Sequence, residues 1–195
     1  MNGSRNIIRL LMPEKLVFVI ILLVILIAHS DCASKNPGDP EKPAVQKSKV
    51  IEEVTFVKQK DDFCGPAAMA SVLEYYGRHI SQEEIAGKVY TPKLEGALIS
   101  DMENFARDNG FRAETINGSI DKLEETINEG VPVIVLVDKG KWKVSVPHYY
   151  VVYGYDKAEE VFILHTGDKS GQEIKFDKLD SEWEKMNRLM LVIRK

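Results

Sequence analysis

Apolar residues recur every three or four positions between residues 64 and 127, a period that predicts amphipathic helices. The first helix is predicted over residues 64–76, ending at Gly77, with one apolar face formed by Ala68, Met69, Val72, Leu73 and Tyr76. Three further helices are predicted to begin at Ser81, Ser100 and Ser119, which are residues typical of helix N-caps. These helices are expected to end near residues 88, 110 and 130.

Short β-branched and aromatic runs separated by turn residues predict strands. They cover residues 111–116, 131–137, 149–155, 161–164, 173–176 and 189–193. Helices therefore dominate the first part of the domain and strands the later part. This order predicts an α+β fold with a mainly antiparallel sheet.

The pattern before residue 50 is of a different kind. Residues 1–30 contain a basic stretch, 13 uninterrupted apolar residues at 16–28 and small residues typical of a cleavage site. Thirteen helical residues span only about 20 Å of a bilayer core of about 30 Å, which favours a cleaved signal peptide over a membrane anchor. Lipidation at Cys32 is a third possibility. In each case we expect a bacterial protein that is exported to the periplasm or anchored at a membrane.

Residues 31–49 contain three prolines and few large apolar groups, so they are predicted to form a flexible linker to a domain at 50–195. Residues 1–30 carry a net charge of +2, and removing them changes the charge of the chain from −4 to −6. An acidic domain argues against nucleic acid as a partner. Neither a zinc-type cluster nor a phosphate-binding loop is present in the sequence, so we predict no metal and no cofactor. We expect a monomer.

Cys64 is the only cysteine after residue 32, and it begins the first predicted helix. Unpaired N–H groups and the helix dipole at such a position favour a thiolate, which predicts a lowered thiol pKa and a nucleophilic role. A buried structural cysteine is the alternative, but such a cysteine would have apolar neighbours, whereas Asp61 and Asp62 are polar.

His148 directly precedes an aromatic and β-branched run, so a strand would hold its imidazole as a general base for the cysteine. An ordinary histidine of an edge strand is the alternative interpretation. Gln59 lies five residues before Cys64, where its side-chain N–H and the backbone N–H of Cys64 can form an oxyanion hole. An ordinary solvated surface residue is the alternative interpretation of Gln59. Trp142 either borders a peptide groove or is an ordinary surface or core residue.

Together Gln59, the segment Cys64-Gly65-Pro66-Ala67 and the histidine strand at 148–155 resemble the bacteriocin-processing, double-glycine peptidase family and its exported relatives. The resemblance covers residues 54–171. It implies a papain-like fold with Cys64 as nucleophile, His148 as general base and Gln59 as oxyanion donor. Where the family has an acidic residue after the next strand, this chain has His165, with Asp168 three residues further on. We prefer His165 as the residue that orients His148, with Asp168 as the alternative.

These observations predict an exported cysteine endopeptidase that hydrolyses peptide or protein substrates. This hypothesis predicts that iodoacetamide alkylates Cys64 unusually fast at neutral pH. A peptidase-like module that binds peptides with weak or lost catalysis is the alternative, because the family carboxylate is absent. An acyltransferase that uses the same Cys–His pair with an amine acceptor is a third hypothesis.

Overall fold

The computed structural model describes residues 46–195, so the predicted signal or anchor, Cys32 and most of the linker lie outside the described residues. The strands are β1 Ser48–Val50, β2 Tyr90–Thr91, β3 Gly96–Ala97, β4 Arg112–Asn117, β5 Val133–Asp138, β6 Pro147–Asp156, β7 Val161–His165, β8 Gln172–Lys175 and β9 Leu189–Arg194. The helices are α1 Cys64–Tyr75, α2 Gln82–Val89, α3 Ile99–Asp108, α4 Ile120–Asn128 and α5 Phe176–Glu184. A short 3₁₀ turn, Pro92–Leu94, separates β2 from β3.

Seven of these strands form one antiparallel sheet in the order β4-β9-β5-β6-β7-β8, with β1 paired to β6. The predicted α+β class with a mainly antiparallel sheet is confirmed. The predicted linker boundary differs from the structure, because Ser48 and Lys49 pair with Asp156 and Tyr155 as part of β1. Within residues 46–195, the short strands β2 and β3 pair only with each other.

Helices cover both faces of the sheet. Apolar side chains of α1, α2 and α3 pack on one face, against a cluster that includes Ile134, Tyr149 and Val151. Those of α4 and α5 pack on the other face, against a cluster that includes Val135 and Tyr150. Residues 133–137 of β5 are all apolar and all buried, since helices cover both faces of the sheet.

The predicted helices are present, with differences at their ends. Ser81 and Ser119 cap α2 and α4, accepting hydrogen bonds from the backbone N–H groups three residues on. Ser100 is not a cap, since α3 begins one residue before it, after Leu98. Helix α5 was not predicted. The sequence pattern places its first residue, Phe176, in the preceding strand.

None of the helices within residues 46–195 combines the length and the apolar character needed to cross a bilayer.

The end of β6 that contains His148 extends beyond its neighbour. Strand β7 stops at His165, which pairs with Val151, so residues 147–150 of β6 have no strand partner on that edge. The first turn of α1 lies beside this unpaired edge, where Cys64 and Tyr149 border a common cleft. The topology therefore leaves a gap between the N-terminus of a helix and the end of a strand.

Candidate active site

Cys64, His148 and Gln59 border a single cleft of about 680 Å³. Cys64 is the first residue of α1, His148 is the second residue of β6, and Gln59 lies in the segment that leads into α1. The rest of the lining includes Leu94, Ala97, Leu98, Leu136, Val146, Tyr149 and Met186. The structure thus brings together the three residues that the sequence predicts as nucleophile, base and oxyanion donor.

The surroundings of Cys64 raise the pKa of its thiol. Burial raises the pKa of the thiol, and the backbone N–H groups of Tyr149, Gly65 and Cys64 oppose this only in part. The nearby charge of Asp62 raises the pKa further. The predicted lowering of the thiol pKa is therefore wrong for the free site, because burial outweighs the helix terminus.

Gly65 allows the close packing behind Cys64. A Cβ at this position would lie 3.1 Å from the Ala97 Cβ, 3.1 Å from the Met102 Sδ and 3.3 Å from the ring of Tyr149. A larger residue would push β3, α3 or β6 away from the start of α1, and so would change the position of the sulfur.

His148 is buried, and its Nε2 lies 2.7 Å from the backbone carbonyl oxygen of Thr166. A carbonyl oxygen can only accept a hydrogen bond, so Nε2 carries the hydrogen and Nδ1 keeps the lone pair in the neutral ring. Burial lowers the pKa of His148, the bond to Thr166 and the charge of Asp168 raise it, and the charge of Lys139 lowers it. The ring is therefore a neutral base whose free nitrogen is Nδ1.

No hydrogen bond joins Cys64 and His148 among those formed by residues 46–195. This agrees with the two pKa shifts, since a raised thiol pKa and a lowered imidazole pKa both favour the neutral pair. Catalytic hydrogen bonds are often long in free enzymes and shorten when substrate binds. In the free site the raised pKa of Cys64 and the lowered pKa of His148 thus both act against an ion pair, while the two residues line the same cleft.

His165 does not orient His148. Its Nε2 donates to the Val54 carbonyl at 3.0 Å, and its Nδ1 accepts from the backbone N–H of Gly171 at 3.3 Å and lies 3.3 Å from the hydroxyl of Ser170. The expectation that His165 accepts a hydrogen bond from His148 is therefore wrong, because both of its ring nitrogens have other partners. His165 instead ties the strand end to the segment that leads to Gln59.

Asp168, the alternative orienting residue, acts on His148 only through its charge. Within the described residues its carboxylate forms no hydrogen bond with the ring. The direct partner is the carbonyl of Thr166, held by a local turn in which Thr166 N–H donates to the Lys169 carbonyl at 3.0 Å. The Thr166 hydroxyl in turn accepts from the Lys169 N–H at 3.2 Å. Sequence reasoning missed this group because a backbone carbonyl has no residue type.

Gln59 is joined to the same turn. Its backbone N–H donates to the Gly167 carbonyl at 2.9 Å, and its side-chain Nε2 donates to the Asp61 carbonyl at 3.1 Å. The side-chain oxygen is buried without a hydrogen-bond partner and lies directly over Gly167, where a Cβ would be 2.2 Å from it. The second N–H of the amide forms no hydrogen bond within residues 46–195.

Buried Gln82 fixes the backbone on both sides of Gln59. Its Nε2 donates to the Lys58 carbonyl, and its Oε1 accepts from the Lys60 N–H, both at 2.9 Å. The sequence shows Gln82 only as part of the first turn of α2, so its role in holding Gln59 was not predicted. A polar residue at a position that packs inward was the one available signal.

A family model described as Peptidase_C39-like matches residues 51–191. The chain belongs to the Peptidase_C39-like family. A comparison with curated proteins finds no match. Among solved structures, a C39-like peptidase from Bacillus anthracis is similar with a TM-score of 0.62 and 18% identity, over 77% of this chain and 98% of that one.

Two further solved structures share the fold of this Peptidase_C39-like chain. The peptidase domain of Streptococcus ComA, an ABC transporter, has a TM-score of 0.55 and 26% identity, over 75% of this chain and 97% of that one. A double-glycine-motif protease from an AMS/PCAT transporter, in complex with a leader peptide, has a TM-score of 0.59 and 18% identity, over 76% and 99%. The predicted family and papain-like fold are confirmed.

Proposed function

We propose that this Peptidase_C39-like protein is an exported cysteine endopeptidase that uses Cys64, His148 and Gln59. The observation that carries the proposal is that these three side chains border one cleft, whose volume lies within the range typical of ligand sites. A peptide substrate is further supported by the transporter protease of this fold that is in complex with a leader peptide.

In the first half of the reaction, Nδ1 of His148 takes the proton of the Cys64 thiol as a peptide enters the cleft. The sulfur attacks the peptide carbonyl carbon, and the resulting oxyanion accepts hydrogen bonds from the Cys64 N–H and the free N–H of Gln59. The C–N bond breaks as the imidazolium gives its proton to the leaving amine. The products are a free amine and a thioester on Cys64.

In the second half, water attacks the thioester while His148 again accepts a proton. The thiolate leaves, is reprotonated and restores the free site, and the peptide is released as a carboxylic acid. The Thr166 carbonyl keeps the hydrogen on Nε2 throughout, so Nδ1 is the nitrogen that exchanges protons. Asp168 stabilises the imidazolium by its charge alone.

A peptide-library cleavage assay with the full chain tests this proposal. The wild type is compared with Cys64→Ala and His148→Ala, and with His79→Ala as a control, since His79 lies in an exposed loop. Cleavage is expected to be lost in the first two variants and unchanged in the third. Cleavage by Cys64→Ala at the wild-type rate would rule out the thiol mechanism.

A peptide-binding module with weak catalysis is a second candidate, favoured because no side-chain carboxylate within residues 46–195 is bonded to His148. It predicts that fluorescent peptides bind the wild type and Cys64→Ala equally while no library member is cut. Product masses in the presence of an added amine distinguish hydrolysis from acyl transfer. Export is tested separately, by finding the protein in periplasmic or membrane fractions of the cells.

A further inference from the structure

The loop between β5 and β6 holds a tryptophan in solvent. We call residues 139–146 the tryptophan loop. Trp142 at its tip is completely exposed, at 103% of the reference area, whereas Trp183, the other tryptophan of the chain, is 0% exposed. Trp142 lies in a tight turn, closed by the Val144 N–H donating to the Lys141 carbonyl at 3.2 Å. Val144 and Val146 of the same loop are also exposed, and exposed apolar patches of this kind mark interaction sites.

The base of the tryptophan loop is fixed by Asp138. One carboxylate oxygen accepts from the N–H groups of Gly140 at 2.7 Å and Val146 at 2.8 Å, and the other accepts from the Ser145 hydroxyl at 2.9 Å. Lys185 donates to the carbonyls of Asp138 and Gly140 at 3.4 and 3.2 Å. These bonds direct the loop outward, so the exposure of Trp142 is built into its geometry.

Lysines flank the exposed ring. Lys139, Lys141 and Lys143 alternate with Gly140 and Trp142, although the whole chain has a net charge of −4. Among residues 46–195, none of the three lysines forms an ion pair. Lys139 lies 6.0 Å above the ring of Tyr150, so Lys141 and Lys143 are the charges at the tip.

The apolar surface continues from the tip to the mouth of the active-site cleft. Val144 and Val146 of the tryptophan loop are exposed, as are Leu94 and Leu98 on the β2–β3 side. Val146, Leu94 and Leu98 also line the cleft. The tryptophan loop is therefore part of the rim of this cleft.

We propose that the tryptophan loop docks onto an anionic phospholipid surface. Tryptophan is favoured at the boundary between lipid headgroups and acyl chains, and flanking lysines lay their stems along the apolar region while their charges meet lipid phosphates. An aromatic lid over a bound peptide fits less well, because Asp138 holds the loop base outward and a lid has no need of lysines. Docking would place the cleft mouth at the membrane surface.

Tryptophan fluorescence of the full chain with vesicles tests this proposal. Trp183 is buried, so the difference between the wild type and Trp142→Phe isolates the signal of Trp142. With vesicles containing phosphatidylglycerol, we expect the emission of Trp142 to shift to shorter wavelength and to be quenched by brominated acyl chains. With pure phosphatidylcholine we expect little change. The readout is the environment of this ring, so attachment through residues 1–30 does not mimic it.

The variant Lys141→Gln/Lys143→Gln is expected to lower the affinity for vesicles containing phosphatidylglycerol about 25-fold, about fivefold for each lysine, as read from the lipid concentration that gives half of the emission shift. Lys88→Gln/Lys178→Gln, which makes the same charge change at exposed helix positions, is the matched control and should have little effect. Equal loss in both double variants would overturn the proposal. Emission from Trp142 that stays typical of water in the presence of anionic vesicles would also overturn it. A spectral shift that appears only when peptide is added would instead assign Trp142 to a lid over the cleft.

Discussion

Replacing Gly167 with alanine is expected to disable the proposed active site while leaving the fold intact. Gly167 has a φ of +85°, and an alanine Cβ there would lie 2.2 Å from the side-chain oxygen of Gln59 and 3.1 Å from its Cδ. The contact can be relieved only by moving Gln59 or the turn that carries the Thr166 carbonyl. Both are groups on which the proposed chemistry depends.

The size of the effect follows from two separate terms. The left-handed backbone costs alanine about 1–2 kcal/mol of stability relative to glycine. Displacement of Gln59 removes one oxyanion donor, which costs about 3 kcal/mol of transition-state stabilisation. Because about 1.4 kcal/mol corresponds to a factor of 10 in rate, we expect kcat/KM to fall about 100-fold.

Gly171→Ala is the matched control, because it separates the two terms. Gly171 also has a positive φ, of +60°, but its nearest contact for a Cβ is the Tyr153 hydroxyl at 3.6 Å. Urea unfolding should show a similar loss of stability in both variants, while kcat/KM on a cleaved peptide should fall only in Gly167→Ala. If the two variants keep the same kcat/KM within about threefold, the contact between Gly167 and Gln59 has no role in catalysis.

Three other predictions concern the free site. Burial lowers the pKa values of His148 and His165, so below about pH 6.5 the unfolded chain binds more protons than the folded one. The free energy of unfolding therefore falls as the pH falls, which urea titrations from pH 7 to pH 5 measure. The variant His165→Gln should reduce the dependence of this free energy on pH. The raised pKa of Cys64 predicts that iodoacetamide labels the peptide-free enzyme more slowly at pH 7 than it labels free cysteine, which is opposite to the expectation from helix position alone. Mass spectrometry measures the rate of labelling, and a rate faster than that of free cysteine would contradict this prediction. Gln82→Leu leaves the backbone groups on both sides of Gln59 unpaired, so kcat/KM should fall about tenfold and stability by about 1–3 kcal/mol, as measured by peptide cleavage and urea unfolding.

Periodicity predicted most of the fold because burial of an apolar face decides these elements. The face of α1 and the buried strands have strong patterns, and the caps at Ser81 and Ser119 have the expected hydrogen bonds. Helix α5 escaped prediction because only two of its residues, Leu179 and Trp183, are buried among charged neighbours. Its stability comes from tertiary packing of Trp183, whose Nε1 donates to the Leu189 carbonyl at 2.7 Å.

The sequence predicts those parts of the site that depend on the type of side chain. Cys64, His148 and Gln59 could be proposed from residue type and order, and the structure places them around one cleft. The thiol pKa could not be predicted, because it depends on burial that only the folded chain creates. The preference for His165 failed because its position in the strand was known but its partners, Val54, Ser170 and Gly171, were not.

The use of a main-chain oxygen to hold the imidazole has a consequence for how relatives of this chain are classified. A comparison of sequences sees only side chains, so a histidine at position 165 does not by itself mark the protein as a degenerate peptidase. The hydrogen bond between the Thr166 carbonyl and His148 does not depend on the side chain at position 165, provided that the turn is kept. Only chemical synthesis, for example with an ester in the backbone, would change this carbonyl without changing a side chain. Homologues without the acid therefore deserve an activity assay before they are counted as inactive.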